Sequence, residues 1–561
     1  MLRFIALSGT TGVTENLNVY EYKDEMIILD CGVGFPDLEM PGVDLVIPDF
    51  SYVVKNKHKL KAIVLSQGHE DHIGALPFLF REVNVPIYCA PLVTEFLEEK
   101  FRDKGIIDFK INTFDPTKDT FQVGSFKFSP FRVSHSVPDT VGFLIETPEG
   151  RIMHVPEHKI DQESVDGQPF DIERAKMLAS GGENLCVISD CLGVHETGFA
   201  KSGVEIENNL LKIAINAKKA LFMSAMSSSI GRFQQMINVA KRVNRKVVFV
   251  GRSIQNKTES AHKLGYLKYD INDVVDTKKA KKIHPRDLMY IVAGCYGQVG
   301  SSVYRLATDD DSRVAVTEGD TFIFSANPAP PYSKESQDFV IDELIDRGVD
   351  THYYDLKEGL HVSGHGGQED IKMLWDIAKP KYFIPTGGTI KHMHGYEKLV
   401  VSTGKPKENV FKLKPGDSVD FKNGIASRGQ KVKVKEVMVH GLGIGDIGKT
   451  VLEHRSLLGK QGMVVIVFKA TKEGRVLGKP ELVSKGFVFE GISGGLLNDS
   501  IQVLMKHLGT HNNLNAKRLK DEAIKFLEGY FFKATGRSPM IVPIVVNKLR
   551  YICDINKRMF I

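Results

Sequence analysis

The segment Gln67-Gly68-His69-Glu70-Asp71-His72 directly follows an apolar run at 62–65, and this combination decides the fold. A compact apolar run that ends in polar residues is typical of a buried β-strand. Imidazole nitrogen suits Zn²⁺ and similar ions, and carboxylate oxygen can bridge two ions. The dense histidines and carboxylates at 69–72 therefore predict a metal site at a strand end. For this segment alone, a polar surface turn is the alternative.

Polar side chains follow other apolar runs in the same way. They are Asp30 after 27–29, His135 after 131–133, Glu157 after 151–155, Asp190 after 186–188, and His361 and His365 in the loop 361–367. Taken singly, each is more often a satisfied loop histidine or a capping carboxylate. Open α/β sheets bind ligands at strand ends, so the recurrence favours one shared site.

The composition is that of a globular protein. The chain has 561 residues, of which 42% are hydrophobic and 25% are charged, which excludes a disordered, fibrous or coiled-coil chain. The length predicts about three to five domains.

No apolar run reaches the roughly 18–20 residues of a membrane span, and the run at 4–7 is too short for a signal peptide. The cysteines form no CxxC pair, which favours reduced thiols and a cytoplasmic protein.

The net charge of +5 is unevenly distributed along the chain. Residues 431–561 hold 22 lysines and arginines against 11 aspartates and glutamates, a net charge of +11. The remaining residues carry a net charge of −6. This asymmetry favours a basic C-terminal domain that faces a polyanion, and a solvated basic surface is the alternative.

Strands and helices alternate in the middle of the chain. The pattern predicts helices at 208–219 and 233–243 and strands at 220–223, 246–250, 288–293 and 321–325. Such alternation indicates a parallel α/β unit. For the last unit it predicts strands at 463–468, 486–490 and 540–546 and a helix at 516–529.

The order of these motifs resembles the metallo-β-lactamase superfamily, within it the β-CASP nucleases, and among them bacterial and archaeal ribonuclease J. The resemblance covers nearly the whole chain. The segments that carry it are Asp30-Cys31-Gly32, 42–49, 69–77, 135–139, Ser189-Asp190, 249–253, 318–321, 361–366, 379–385 and 441–448.

The resemblance implies an α/β fold, in which a β-CASP α/β domain is inserted into a metallo-β-lactamase αββα sandwich and a small α/β C-terminal domain follows. The implied boundaries are 1–204 and 355–430 for the sandwich, 205–354 for the β-CASP domain, 431–448 for a linker and 449–561 for the C-terminal domain. Family members are metal-dependent ribonucleases with 5′→3′ exonuclease and endonuclease activity in RNA processing and decay. They form oligomers, so the resemblance implies a homodimer, a homotetramer or a hetero-oligomer with a paralogue.

The resemblance also implies a site for two metal ions, normally Zn²⁺. The positions that match the family's ligands are Gln67, His69, His135 and Glu157 for the first ion, and Asp71, His72, Glu157 and Gly387 for the second. Gln67 and Gly387 stand where the family has histidines, and Glu157 stands where it has aspartate. Three protein ligands remain the usual number for catalytic zinc. We therefore expect weakened binding that shifts toward Mn²⁺ or Mg²⁺, with His158, His392 and His394 as candidate substitutes.

The reaction that the resemblance implies is hydrolysis of RNA phosphodiesters. Asp71, Asp190 and His365 match the catalytic positions: Asp71 orients the nucleophile, and His365 steadies or protonates the leaving oxygen beside Asp190. The residues expected to bind RNA phosphate are His361, Ser363, Gly364, His365 and Gly366, partly through backbone N–H groups. The alternative is a catalytically weakened or inactive paralogue that serves as an RNA-binding or complex-forming subunit.

Overall fold

A computed structural model describes residues 1–37, 39–165, 167–328, 333–471, 476–488, 490–510 and 515–547. These residues form two compact units. One comprises Met1–Phe35 and Asp44–Val439, and the other comprises Pro36–Val43 and the chain from His440 onward. Within the described residues, no helix combines the length and the apolar character that a membrane crossing requires.

The first unit contains a large mixed sheet and a second, smaller one. In spatial order the eight-stranded sheet consists of Ile425–Arg428, Ser418–Lys422, Leu2–Ser8, Leu17–Tyr22, Glu25–Leu29, Leu60–Val64, Ile87–Cys89 and Ile111–Thr113. The six-stranded sheet consists of Tyr382–Thr386, Asn184–Asp190, Gly150–Val155, Val141–Thr147, Phe126–Arg132 and Phe121–Val123. Strands from residues 1–190 and from residues 382–428 thus share both sheets.

Alternating side chains place these two sheets face to face. Phe4 and Ile27 of the first sheet pack in one cluster with Phe143 and Ile188 of the second. The next residue along the chain, Ile5, points to the opposite face of its sheet, as the two-residue period of a strand requires. Helices cover both outer faces: Ser51–Lys55, Glu70–Ile73, Leu76–Leu79, Pro91–Asp103, Ile172–Ser180, Gln368–Ala378 and Ile390–Ser402. The predicted αββα sandwich is confirmed.

Residues 205–352 form a separate parallel sheet within the same unit. Its strands, in spatial order, are Lys246–Val250, Leu288–Val292, Leu221–Ser224, Thr321–Phe324 and Asp350–His352. Its helices are Glu205–Asn216, Ile230–Arg242, Arg252–Lys263, Thr277–Ala280, Ser302–Ala307 and Ser333–Asp346. The predicted alternation of strands and helices is therefore correct. The domain boundaries at 205 and 354 stay predictions.

The first unit also contains a short antiparallel pairing. Leu45–Ile47 pairs antiparallel with residues 437–439 of the strand Val437–His440. The strand Gly443–Ile444 follows in the chain and belongs to the second unit.

The second unit has a three-stranded sheet with helices. Its strands, in spatial order, are Glu481–Lys485, Met463–Ala470 and Met540–Asn547, and its helices are Lys449–Gln461, Glu490–Leu508 and Ala516–Thr535. The strand predicted at 486–490 is wrong, because the chain bends at 486–488 and a helix begins at Glu490. The neighbouring strand Glu481–Lys485 is largely exposed, so it lacks the apolar pattern that identifies a strand.

Gly32 fixes the loop that supports the segment 67–72. Cys31 donates its N–H to the His72 carbonyl oxygen at 2.7 Å, and Val33 donates to the Glu70 carbonyl oxygen at 3.0 Å. A Cβ at Gly32 would lie 1.5 Å from the Asp71 carbonyl oxygen, so only glycine allows this approach.

We therefore predict that Gly32→Ala destabilises the protein by about 3 kcal/mol or more, because the backbone must move apart. Gly12→Ala is the matched control, since a Cβ there meets nothing within 4 Å. Thermal unfolding measures both variants. An unfolding midpoint of Gly32→Ala equal to that of Gly12→Ala would contradict this packing.

Candidate metal centre and catalytic cleft

The predicted metal ligands come from loops that follow three strands, one in the eight-stranded sheet and two in the six-stranded sheet. The segment 67–72 follows Leu60–Val64, His135 follows Phe126–Arg132, and Glu157 follows Gly150–Val155. Two groups of ligand atoms meet there, each within 4.8 Å, and both contain Glu157. The strand ends thus bring together the five residues predicted as metal ligands, namely His69, Asp71, His72, His135 and Glu157.

The first group consists of His69, His135 and Glu157. The Nε2 atom of His135 lies 2.9 Å from Glu157 Oε2, and its Nδ1 atom lies 2.9 Å from the Gly364 carbonyl oxygen. A carbonyl oxygen only accepts, so Nδ1 carries a proton and Nε2 faces the centre of the group, as in many metal-binding histidines. Ser136 Oγ lies 2.9 Å from Nε2 of His69. Burial, and then His135, hold the pKa of His69 well below its usual value.

The second group consists of Asp71, His72 and Glu157. The Nε2 atom of His72 lies 3.5 Å from Asp71 Oδ2 and 3.4 Å from Glu157 Oε1. Its other ring nitrogen lies 2.8 Å from Oδ2 of Asp30, which also accepts the N–H and O–H of Ser66. Such a carboxylate behind a histidine orients the ring and raises its basicity as a ligand.

The carboxylates of the second group favour a bound cation. Burial opposes a charge on His72, yet the carboxylates of Asp30, Asp71 and Glu157 raise its pKa well above the usual value. Burial, and then repulsion by Glu157, raise the pKa of Asp71 to about 6, although His72 opposes this. Buried carboxylates gathered this closely are stabilised by positive charge. The donor types and their convergence therefore fit metal ions.

Gln67, the first of the two positions predicted to depart from the family's ligands, lies inside the cluster. Its side chain is fully buried, and Nε2 donates to Glu157 Oε2 at 2.5 Å and lies 3.0 Å from His72 Nε2. Its Oε1 atom is buried and has no hydrogen-bond partner among the residues that the structure describes. Rotation of the amide by about 180° turns this oxygen toward the cluster, because O and N are nearly isosteric. Gln67 can thus offer an oxygen ligand where a histidine would offer nitrogen.

Gly387 is the second position predicted to depart from the family's ligands. A Cβ there would lie 3.5 Å from Asp190 Oδ1 and 3.6 Å from the Pro156 carbonyl oxygen, so a side chain at 387 would start beside the cluster. Gly387 has a φ of +66°, which disfavours other residues. This position supplies no ligand.

The three histidines considered as substitutes lie outside both ligand groups of the described residues. His158 is fully buried, and neither of its ring nitrogens has a hydrogen-bond partner. The Nδ1 atom of His392 accepts the N–H of Thr389 at 3.1 Å. His394 is exposed, and its Nδ1 atom lies 3.5 Å from Glu397.

Glu70 joins the metal loop to two lysines. Its carboxylate lies 2.6 Å from Lys100 and 3.6 Å from Lys257, whose ammonium lies 5.3 Å from the centre of the Phe96 ring. Burial opposes the charge on Glu70, but Lys100 and Lys257 lower its pKa to about 2. Glu70 is thus an ion-pair partner between two candidate metal ligands.

Asp190 and His365 form a pair beside the ligand groups. His365 Nδ1 lies 2.7 Å from Asp190 Oδ2, and the His365 and His135 ring centres are 5.4 Å apart. Burial opposes protonation of His365, but the Asp190 carboxylate raises the pKa of His365 to about 9. His365 is therefore protonated at neutral pH and can donate a proton. A Cβ at Gly364 would lie 2.8 Å from His135 Cε1, so glycine is needed between them.

The predicted phosphate-binding loop 361–366 borders a cavity. Ser363, Gly364, His135, Lys159 and Arg232 line this space. Gly366 donates its N–H to the His158 carbonyl oxygen at 2.7 Å, so that donor is already engaged. His361 is half-buried outside the set of lining residues, and burial, then Arg232, lower its pKa to about 4.

Arg232 is the cation of this cavity that the sequence analysis missed. Burial lowers its pKa to about 9. In the described ranges no carboxylate lies within 4 Å of it, and its guanidinium contacts the Leu360 carbonyl oxygen at 3.4 Å. A partly buried cation that has no carboxylate counterion among the described residues favours an anionic ligand. The position of Arg232 in the sequence did not predict its place in this cavity, because Arg232 belongs to the segment that forms the separate parallel sheet.

Family comparisons match three parts of the chain. The models described as "Beta-lactamase superfamily domain", "Ribonuclease J, beta-CASP domain" and "Ribonuclease J C-terminal domain" match residues 26–172, 218–344 and 450–548. Ribonuclease J 1 of Streptococcus pyogenes is 32% identical over 96% of this chain and 97% of its own length. Ribonuclease J of Thermus thermophilus is 33% identical over 97% of this chain and 95% of its own length.

The chain belongs to the ribonuclease J family. Ribonuclease J2 of Bacillus subtilis is likewise 30% identical over 97% of this chain and 98% of its own length. These matches confirm the predicted fold class and support a ribonuclease J-like function in RNA processing, and they do not favour the inactive alternative. A protein of unknown function from Enterococcus faecalis has the same fold, with a TM-score of 0.52 and 14% identity over 74% of this chain and 99% of its own.

We predict that Asp190→Asn lowers the pKa of His365 below about 9, since the charge and hydrogen bond of Asp190 are lost, while burial still lowers this pKa and only Glu157 and Asp71 still raise it. In the wild type, the linked stability is complete below about pH 6.5 and is lost as pH rises through about 9. NMR titration of labelled histidine in metal-free protein measures this. Asp376→Asn, an exposed carboxylate, is the control, and an unchanged pKa in Asp190→Asn would contradict the pairing.

Proposed function

We propose that this protein hydrolyses RNA phosphodiester bonds in a cleft that holds metal ions at the two ligand groups sharing Glu157. The observation that carries this proposal is the convergence of these groups beside the protonated Asp190–His365 pair. Membership of the ribonuclease J family, which is a metal-dependent hydrolase family, supports the same chemistry.

Each residue has a defined task in this proposal. Bound metal ions would neutralise phosphate charge and make water a better nucleophile at neutral pH. Asp71 orients the attacking water, and His69, His72, His135 and Glu157 hold the ions. His365 donates its proton to the leaving oxygen, and Asp190 keeps that proton on the ring.

The cavity beside the loop 361–366 would bind the 5′-phosphate. Arg232 and Lys159 supply positive charge, Ser363 supplies a hydroxyl, and Gly364 supplies a backbone N–H. Lys159 also pairs with Asp161 at 3.0 Å, so Arg232 is the cation without a carboxylate. A 5′-phosphate held next to the cleft would favour 5′→3′ exonuclease action, and endonuclease action would not need this pocket.

Further features complete the proposal. Zn²⁺ is the first candidate metal, and the oxygen of Gln67 in place of a nitrogen shifts the metal preference toward Mn²⁺ or Mg²⁺.

A homodimer, a homotetramer or a hetero-oligomer with a paralogue remains the proposed assembly. The domain 449–561 is proposed to contribute to this assembly and to RNA binding. A cytoplasmic location fits an RNA substrate and the five described cysteines, which are all free.

We expect purified protein to cleave 5′-monophosphorylated RNA in Zn²⁺, Mn²⁺ or Mg²⁺, each tested separately. The reference is His69→Ala, which removes a ligand of the first group. Gel analysis of end-labelled RNA gives the rate and separates stepwise shortening from internal cuts. A rate no higher than that of His69→Ala in every metal would refute hydrolysis and leave the RNA-binding subunit as the function.

Restoring a nitrogen ligand tests the role of Gln67. Loss of an outer partner alone costs about 10- to 100-fold in metal affinity, so Gln67→His should tighten metal binding by at least about tenfold and raise the rate. Gly387→His is the second variant, but its left-handed backbone adds a cost of about 1–2 kcal/mol. Unchanged metal affinity in Gln67→His would show that Gln67 is not what weakens the site.

A further inference from the structure

A second basic cavity lies on the helix Ile390–Ser402, on a part of the chain that the proposed catalytic residues do not use. It has a volume of about 410 Å³. Four basic side chains line it, together with the amide of Gln368: His195, Lys391, His394 and Lys398. No aspartate or glutamate is among its lining residues in the described chain.

The helix presents three of these side chains on one face. Lys391, His394 and Lys398 follow each other at intervals of three and four residues, which places them in one row. All three are exposed. The seven residues from Lys391 to Lys398 span about 10.5 Å along the axis, so the two ammonium groups are well separated.

Glycine brings His195 to the same row. A Cβ at Gly395 would lie 2.8 Å from His195 Cε1, so a larger residue would push this ring away. Gln368 donates its side-chain N–H to the Val194 carbonyl oxygen at 2.9 Å, which holds the chain next to His195. The fourth basic group is thus held at the cavity by packing.

Of the four basic groups, His394 lies near a carboxylate, with its Nδ1 atom 3.5 Å from Glu397 Oε2, and the two lysines are the groups that carry unpaired charge among the described residues. In the part of the chain that the structure describes, no carboxylate lies within 4 Å of Lys391 or Lys398. The nearby Glu397 is buried, and its Oε2 atom lies 2.9 Å from Lys412. Like charges gathered on a concave surface raise the local potential and attract anions.

A short series of contacts leads from the cavity toward the Asp190–His365 pair. The His195 and His392 ring centres are 5.5 Å apart. A Cβ at Gly388 would lie 2.9 Å from His392 Cβ, and a Cβ at Gly387 would lie 3.5 Å from Asp190 Oδ1. The two glycines thus lie between Asp190 and His392 and place no side chain there.

We propose that this cavity binds the sugar-phosphate backbone of the RNA strand beside the Asp190–His365 pair, with Lys391 and Lys398 on different phosphates. This inference rests on the proposed function in one respect, which is that RNA is the ligand. A mononucleotide carries one phosphate and cannot reach both lysines. The lining residues include no phenylalanine, tyrosine or tryptophan on which a base could stack, so binding here is independent of sequence.

The test is the salt dependence of RNA affinity in metal-free protein, where no cleavage takes place. The probe is a fluorescent 5′-monophosphorylated single strand of about 12 nucleotides. Each neutralised phosphate contributes about 0.7 to the slope of log K against log salt. Lys391→Gln with Lys398→Gln should therefore reduce the slope by about 1.4.

Lys55→Gln with Lys57→Gln is the matched control, because these lysines are exposed and line a different part of the chain. Its slope should equal that of the wild type. An unchanged slope in the Lys391/Lys398 variant, or an equal reduction in the control, would overturn the proposal. So would a reduced affinity for a nucleoside 5′-monophosphate with an unchanged slope for the strand, since the cavity would then bind free nucleotide.

The same experiment separates this proposal from hydrolysis. Wild-type protein that binds RNA with the predicted slopes but cleaves none would refute the hydrolase and support the cavity. Wild-type protein that binds no RNA at low salt would overturn both.

Discussion

The buried carboxylate of Glu157 is the interaction on which the cleft depends. One of its oxygens lies 2.9 Å from His135, and the other lies 3.4 Å from His72, so it joins the two ligand groups. Burial raises the cost of its charge, and the neighbouring histidines His72 and His135 hold its pKa well below the usual value. An ionised carboxylate without water needs such partners or a metal. Glu157 lies between the two ligand groups because it follows the end of the strand Gly150–Val155 in the sandwich.

The carboxylates behind the histidines make this arrangement rigid. Asp30 receives two hydrogen bonds from Ser66 and contacts His72, and the Gly364 carbonyl oxygen orients His135. Asn16 adds a side-chain N–H at 3.1 Å from the Asp71 carbonyl oxygen. These groups are supplied by loops of both sheets and by the segment after the inserted parallel sheet. The cleft is therefore assembled only when distant parts of the chain fold together.

Local patterns predicted the parallel α/β unit and a metal site at 69–72, and the resemblance to the family supplied the αββα sandwich and the full ligand set. The apolar run 62–65 followed by His69, Asp71 and His72 identifies a strand with metal ligands at its end. Both the buried strand and the ligand residues can be recognised because they fall within one short segment of the sequence. The contacts of Arg232 and His195 could not be predicted from a local sequence pattern, since they depend on which loops meet in space. The missed helix Glu490–Leu508 has glycines in its first turns, which weaken a helical pattern. A resemblance to the family supplied the roles of His365 and Asp190, which no spacing indicates.

The proposed departures from the family's ligand pattern lie at Gln67 and Gly387. Gln67 has a buried amide whose oxygen has no hydrogen-bond partner among the described residues, and Gly387 has no side chain. The remaining groups still provide three ligands each, with one shared. The weaker metal binding and the changed metal preference proposed above would follow from these donor atoms, and His365 Nδ1 lies 2.7 Å from Asp190 Oδ2.

The metal content of Glu157→Ala tests this account most directly. Wild-type protein and the variant are equilibrated with Zn²⁺ or Mn²⁺, and bound metal per chain is measured by mass spectrometry. Glu163→Ala, an exposed neighbour, is the control. Because Glu157 belongs to both groups, its loss should remove metal from both positions, while Glu163→Ala keeps the wild-type content. A Glu157→Ala protein with wild-type metal content would contradict the account.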